Sequence, residues 1–206
     1  MIEKGLLMQN PATTQIPINK TIAARWSARE FDSQKTVSKE QLIALLEAAR
    51  WAPSCFGDQP WRFLVWNKNA DVAAWQHALE VIVPNNQIWA KSAPIFILVC
   101  ANNLFGHNST PNRWGQYDTG AAAENLCLQA ASMGLMVHQM GGFNSEAARE
   151  KFNIPTDVTP MAMLAVGYEG DANQLPDELK ARELAPRKRK ALGELFFNGM
   201  WNSPII

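Results

Sequence analysis

Residues 119–133 carry apolar side chains on almost every side of a helix: Ala121, Ala122, Ala123, Leu126, Leu128, Ala130 and Ala131 leave no polar face, and Gly134 supplies a C-terminal stop. Such a helix must be covered all round. At 206 residues the chain fits one compact domain, and a domain this small covers the helix more easily if a second subunit packs on one face. The composition, 47% hydrophobic and 18% charged, leaves apolar surface for that partner. A homodimer is expected, with this helix at its centre.

The rest of the chain alternates short elements. Residues 1–17 carry Pro11 and Pro17 among polar residues and read as an N-terminal arm; residues 18–206 form one domain, with a polar, proline-bearing extension from about residue 176. A short helix is expected near 20–25. Ser38 and Gln41 make a capping box ahead of Leu42, Leu45, Leu46 and Ala49, giving an amphipathic helix that ends by Trp51 and is stopped by Pro53. Residues 61–66 suit a strand, Asp71 caps a helix running to about Val83, and Pro84 closes it. Residues 95–99, apolar throughout, belong in the centre of a sheet. Strand, helix and strand follow at 135–140, 145–152 and 161–168, before a basic run, Arg187-Lys188-Arg189-Lys190, and an aromatic tail of Phe196, Phe197 and Trp201.

Several function classes lack support. Nineteen basic residues balance nineteen acidic ones, so the overall positive excess of a nucleic-acid binder is missing. The longest apolar run, 93–101, falls far short of the ~20 residues that span a bilayer, so no membrane segment is expected. Residues 1–15 do not read as a signal peptide, which makes the cytoplasm the expected location. Cys55, Cys100 and Cys127 are widely spaced, with no C-x-x-C pair; Cys100 and Cys127 read as buried free thiols. His77, His107 and His138 lie too far apart in sequence to suggest a metal site. The glycine fingerprints of dinucleotide and P-loop sites, H-E-x-x-H and G-x-S-x-G are all absent.

Two motifs remain: Arg25-x-Ser27-x-Arg29, and Ala52-Pro53-Ser54-Cys55-x-x-x-Gln59-Pro60-Trp61 just before the first strand. Asn86 precedes the central strand, Met140-Gly141-Gly142-Phe143 follows the fourth helix, and Arg187-Lys188-Arg189 closes the series. In this order, from about residue 20 to 195, the chain resembles the nitroreductase family of FMN flavoproteins. The Gln-Pro-Trp loop is the most specific match.

The resemblance implies an α+β fold, a mixed central sheet flanked by helices in an intertwined homodimer with exchanged C-terminal tails. It also implies FMN as cofactor, NAD(P)H as co-substrate and a small-molecule electron acceptor. Arg25, Ser27, Arg187 and Arg189 match contacts to the FMN phosphate and ribityl chain, where arginine's planar fork suits a dianion. Trp26, where relatives more often have Arg or His, reads as packing within the same cofactor-binding segment. Arg29 matches the cation that meets negative charge on flavin N1 and the C2 carbonyl, and Asn86 the contact to the pyrimidine edge. Met140, Gly141 and Gly142 match backbone that addresses flavin N5. Pro53, Ser54, Cys55 and Gln59 match a loop reaching the flavin bound mainly by the other subunit.

Local readings compete at some positions: a turn asparagine for Asn86, a strand-to-helix turn for Gly141-Gly142, a redox thiol for Cys55. The loop departs from the family where Phe56, Gly57 and Asp58 stand and where Cys55 replaces the usual Ser. No paired carboxylate or activated nucleophile accompanies these motifs, so the flavin is expected to carry the chemistry, with nitroaromatics or quinones reduced by a ping-pong mechanism. Relatives that oxidise azolines, dehalogenate or fragment flavin supply the alternative of a dedicated substrate, for which residues 102–114 are a candidate lid. Two further alternatives are a flavin-binding module without turnover and a basic-tail interaction protein.

Overall fold

The run of apolar residues before Cys100 forms a strand buried on both faces, β2 (Ile95–Asn102), and the other elements are arranged around it. The computed structural model describes residues 10–206; the first half of the expected N-terminal arm lies outside them. Three more strands, β1 (Trp61–Asn67), β3 (Met136–Met140) and β4 (Val158–Gly167), complete a sheet of order β1-β2-β4-β3. Every pairing is antiparallel. The α+β class holds, but among the described residues the sheet is antiparallel throughout rather than mixed as the resemblance implied. Pro160 interrupts β4 opposite Cys100, beside a register shift and beyond the reach of β3, so its missing N–H breaks no ladder on that side.

Side-chain alternation along the strands makes two cores. Phe96, Leu98, Cys100, Met163 and Ala165 face Trp75, Trp89 and Phe31, while Ile95, Ile97, Val99, Leu164 and Val166 face Leu45, Leu126 and Ala130. The second core is roofed by α2 (Lys39–Arg50) and α5 (Gly115–Ser132), the first by α3 (Val72–Glu80) and α4 (Pro84–Ala90). The capping box forms as read: Gln41 N–H donates to Ser38 Oγ at 3.2 Å and Ser38 N–H to Gln41 Oε1 at 2.9 Å.

The structure corrects three expectations. Pro84 opens α4 rather than closing α3, because α3 has already ended at Glu80 and a proline at the first helical position loses no hydrogen bond. Asn86 is therefore a helical residue. α5 starts four residues before the expected Thr119, and in the single chain Tyr117, 76% exposed, and Gly120 face out, leaving a face open for the partner expected to cover this helix. The extension contains a helix, α7 (Asp177–Leu184), which its polar sequence did not announce. The remaining helices are short, α1 (Lys20–Ala24) and α6 (Ser145–Lys151). No helix among the described residues is long and apolar enough to cross a membrane.

Candidate functional site

α1 ends at Arg25, where the backbone turns extended, so the following residues leave the helix in a line and present alternate side chains to one side. Arg25, Trp26, Ser27 and Arg29 here meet Arg187 and Arg189, more than 150 residues later, around a cavity of about 300 Å³ that Asn10 and Arg182 also line. Arg187 is locked in place, its Nη1 donating to the carbonyls of Asn10 and Ala23, each at 3.0 Å. Arg25 reaches Glu124 of α5 at 3.4 Å, and Arg189 donates to the carbonyl of Lys188 at 2.8 Å. Burial, then repulsion from Arg25 and Arg189, lowers the Arg187 pKa from its ordinary value. Several cations share this cavity, an arrangement that an anion relieves. Trp26 is buried, in keeping with the packing role read for it, and its indole Nε1–H is buried without an acceptor among the described residues.

β3 joins this cavity to the next group. His138 Nδ1 lies 2.9 Å from the carbonyl of Ala28, so that nitrogen carries the proton and donates. Desolvation pushes the His138 pKa down to about 4, so the ring is neutral near pH 7 and fixes the arginine segment by a neutral hydrogen bond. Two residues further along β3 come Met140, buried, and then Gly141 and Gly142. The Gly142 carbonyl accepts from Val83 N–H at 3.0 Å and from Asn86 Nδ2 at 3.3 Å. A Cβ at Gly142 would sit 2.4 Å from Asn86 Nδ2, so the missing side chain is what lets Asn86 approach. Met140, Gly141, Gly142 and Asn86 thus belong to one corner.

Pro53, Ser54, Cys55 and Gln59 do not join the arginine cavity. They form a separate loop whose Cys55 N–H donates to buried Asp118 of α5 at 2.9 Å. Asp118 and Glu124 are six residues apart on α5, about 9 Å along its axis, so one helix anchors both groups at different heights. Gln59 N–H donates to Ser54 Oγ at 3.0 Å, and the Gln59 side chain turns back to the Gly57 carbonyl at 3.4 Å. Phe56, Gly57 and Gln59 all have positive φ, a backbone that costs energy for the two residues with side chains and persists because the loop is bonded within itself. Asp58 ties this loop to the candidate lid, accepting from Gly106 N–H at 2.8 Å and Asn112 Nδ2 at 3.3 Å. Phe56, 84% exposed, then meets Phe105 and His107 edge-on at 5.9 and 5.8 Å. Cys100 and Cys127 are buried as read, with thiols pushed up by desolvation to about 11 and 12.

Glu183 of α7 was not legible as a site residue. Only 4% exposed, it accepts from Arg29 N–H at 2.7 Å and Arg29 Nη1 at 3.3 Å. A glutamate in a polar helical stretch carries no sequence signal of burial; the only clue is that Arg29 needs a counter-charge when it folds inward.

Fold and site define an α+β protein that gathers arginines around an anion-sized cavity beside the edge strand of an antiparallel sheet. The Nitroreductase family model matches residues 22–168, and the chain belongs to that family. A crystal structure described as an oxidoreductase containing FMN superposes with a TM-score of 0.86 at 34% identity, covering 93% of this chain and 96% of that one. A protein of Archaeoglobus fulgidus named provisionally as an NADH dehydrogenase/NAD(P)H nitroreductase is 30% identical over 158 residues, 74% of this chain and 85% of its own. The major NAD(P)H-flavin oxidoreductase of Aliivibrio fischeri is 39% identical over 88 residues, 43% of this chain and 40% of its own.

Proposed function

We propose that this protein is an FMN-dependent oxidoreductase that takes hydride from NADH or NADPH and delivers it to small electron-poor acceptors such as nitroaromatics and quinones. The observation that carries the reading is the convergence of Arg25, Arg187 and Arg189 with Ser27 on one cavity, a donor set suited to a phosphate dianion. The names of the similar proteins, for FMN, NAD(P)H and flavin, point to the same cofactor.

FMN held here would supply the two-electron hydride chemistry of a flavin at N5. The chain's residues bind and orient. Arg25, Ser27, Arg187 and Arg189 hold the phosphate and ribityl end, and Arg29 offers positive charge to the pyrimidine side. Asn86, braced on Gly142, would offer its side-chain amide to the same ring system, and the backbone of Met140, Gly141 and Gly142 would address N5. None of these residues has to exchange a proton. The exposed face of α5 and the exposed tail residues Phe196, Met200 and Trp201 support a homodimer in which tails cross and the Pro53, Ser54, Cys55 and Gln59 loop reaches the partner's flavin.

A second reading has its own observation. Asp58 fixes residues 102–114 as an ordered, aromatic-bearing flap, which suits a dedicated aromatic substrate better than an open pocket; a turnover screen that finds one acceptor far ahead of all others supports it.

The test of the main reading is the visible spectrum of protein loaded with FMN, recorded before and after anaerobic NADH or NADPH and again after a nitroaromatic. Bleaching and recovery of the flavin band support it. Flavin that binds but is not bleached by either nicotinamide removes the enzymatic part, and failure to bind flavin removes the whole.

A further inference from the structure

Arg29 has a divided environment. Its side chain is 26% exposed and lines the cavity with Arg25 and Ser27, yet its Nη1 and its own backbone N–H both go to Glu183. Glu183 takes one nitrogen of the fork, leaving Nε and Nη2 outside that pair. With both of its oxygens on Arg29 and 4% exposure, its charge is poorly screened by water. Two further carboxyls, Glu30 and Glu169, lie close enough to feel it. Desolvation and then Glu183 raise the pKa of both, Glu169 to about 7. Of these carboxyls only Glu183 bonds Arg29, through both of its oxygens.

A buried ion pair costs desolvation that its attraction rarely outweighs, so its presence beside a cofactor site asks for another role. We propose that Glu183 is a positioning and tuning residue: it fixes the Arg29 guanidinium at the cavity wall and offsets part of the charge that Arg29 presents to the flavin, which holds the flavin potential down. This rests on the FMN reading above. Reduction places negative charge on the pyrimidine side of a flavin, so a fully uncompensated arginine there favours the reduced form and makes the cofactor a poorer donor to its acceptor. A carboxylate behind the arginine reverses part of that bias without touching the cofactor.

The test is the midpoint potential of bound FMN, measured by equilibration with reference dyes, in the wild type and in Glu183→Gln and Arg29→Gln. Glutamine keeps the acceptor for the Arg29 N–H and removes only the charge. Glu183→Gln is expected to bind FMN and shift the reduced-to-oxidised ratio at fixed potential about tenfold toward reduced, about +30 mV for a two-electron couple, with Arg29→Gln shifting it the other way. Glu183→Asp withdraws the charge without deleting it; should Glu183→Gln fail to fold, a smaller positive shift in this variant supports the proposal and an unchanged potential overturns it. An unchanged potential in Glu183→Gln beside a lowered one in Arg29→Gln makes Glu183 merely structural and overturns the proposal. Unchanged potentials in both variants also overturn it, while wild-type bleaching by NAD(P)H would leave the oxidoreductase reading standing.

Discussion

The Cys55 N–H donates to the Asp118 carboxylate at 2.9 Å, joining the loop before the first strand to the first turns of the longest helix. Asp118 is 5% exposed, so this bond sits where water competes poorly. The loop it holds includes two non-glycine residues with positive φ, so the bond also helps maintain strained backbone. Asp118→Ala is expected to lower stability by about 1–3 kcal/mol, the usual cost of stranding a buried partner, and to speed amide hydrogen exchange at residues 55–59. Asp118→Asn, which keeps an acceptor, should recover most of both. Denaturant melts with exchange measured on the same samples check this.

Local chemistry made much of the fold legible. The Ser38 and Gln41 box forms because both its hydrogen bonds are three residues long, and residues 95–99 read as a central strand because nothing in them tolerates water. Pro84 could not be resolved locally, since a proline stops one helix and starts another with equal ease. α7 escaped notice because its single buried residue, Glu183, is held by an arginine 154 positions away. The site was legible only as a family pattern: no spacing rule brings Arg25 to Arg187, and nothing in the Pro53 to Gln59 motif says that it folds apart from the arginines.

Arg25 binds Glu124 at 3.4 Å across a half-exposed surface, so removing it leaves little unsatisfied in the protein itself. Its value should appear in ligand binding. Arg25→Ala is expected to weaken FMN binding about 10- to 100-fold, the range of one charge-assisted hydrogen bond, and to change thermal stability without FMN by little. Flavin fluorescence quenching at two salt concentrations checks this, with a shallower salt dependence in the variant. Equal affinity in both proteins would remove Arg25 from the phosphate site.

Gly142 is the contact point of two elements. An added methyl would press on Asn86 Nδ2 at 2.4 Å and Val83 Cγ2 at 3.1 Å. The Asn86 amide must swing away and lose its bond to the Gly142 carbonyl. Gly142→Ala is expected to cost about 1–3 kcal/mol, as overpacking does, and to impair FMN binding as much as Asn86→Ala does. The double variant should be little worse than either single one, because one displaced amide explains both. Additive losses would show that Gly142 and Asn86 act separately.

His138 and Glu169 load the pH dependence of stability in opposite directions. The folded-state pKa of His138 is pushed down to about 4 from 6.5, so between those values the unfolded chain binds a proton that the native protein refuses, and stability rises with pH. The folded-state pKa of Glu169 is pushed up to about 7 from 4.5, so across that window the native protein holds a proton that the unfolded chain has released, and stability falls as pH rises. The His138 contribution is the larger, roughly 2 kcal/mol against about 1 kcal/mol for the half-buried Glu169 once solvent screening is discounted. Wild-type stability should therefore climb only modestly from pH 4.5 to 6.5. Glu169→Gln removes the opposing contribution and should climb more steeply, and His138→Asn, which can still donate to the Ala28 carbonyl, should flatten or reverse the trend. Denaturant midpoints at half-unit pH steps for the three proteins check the assignment, and it fails if the two variants change the slope in the same direction.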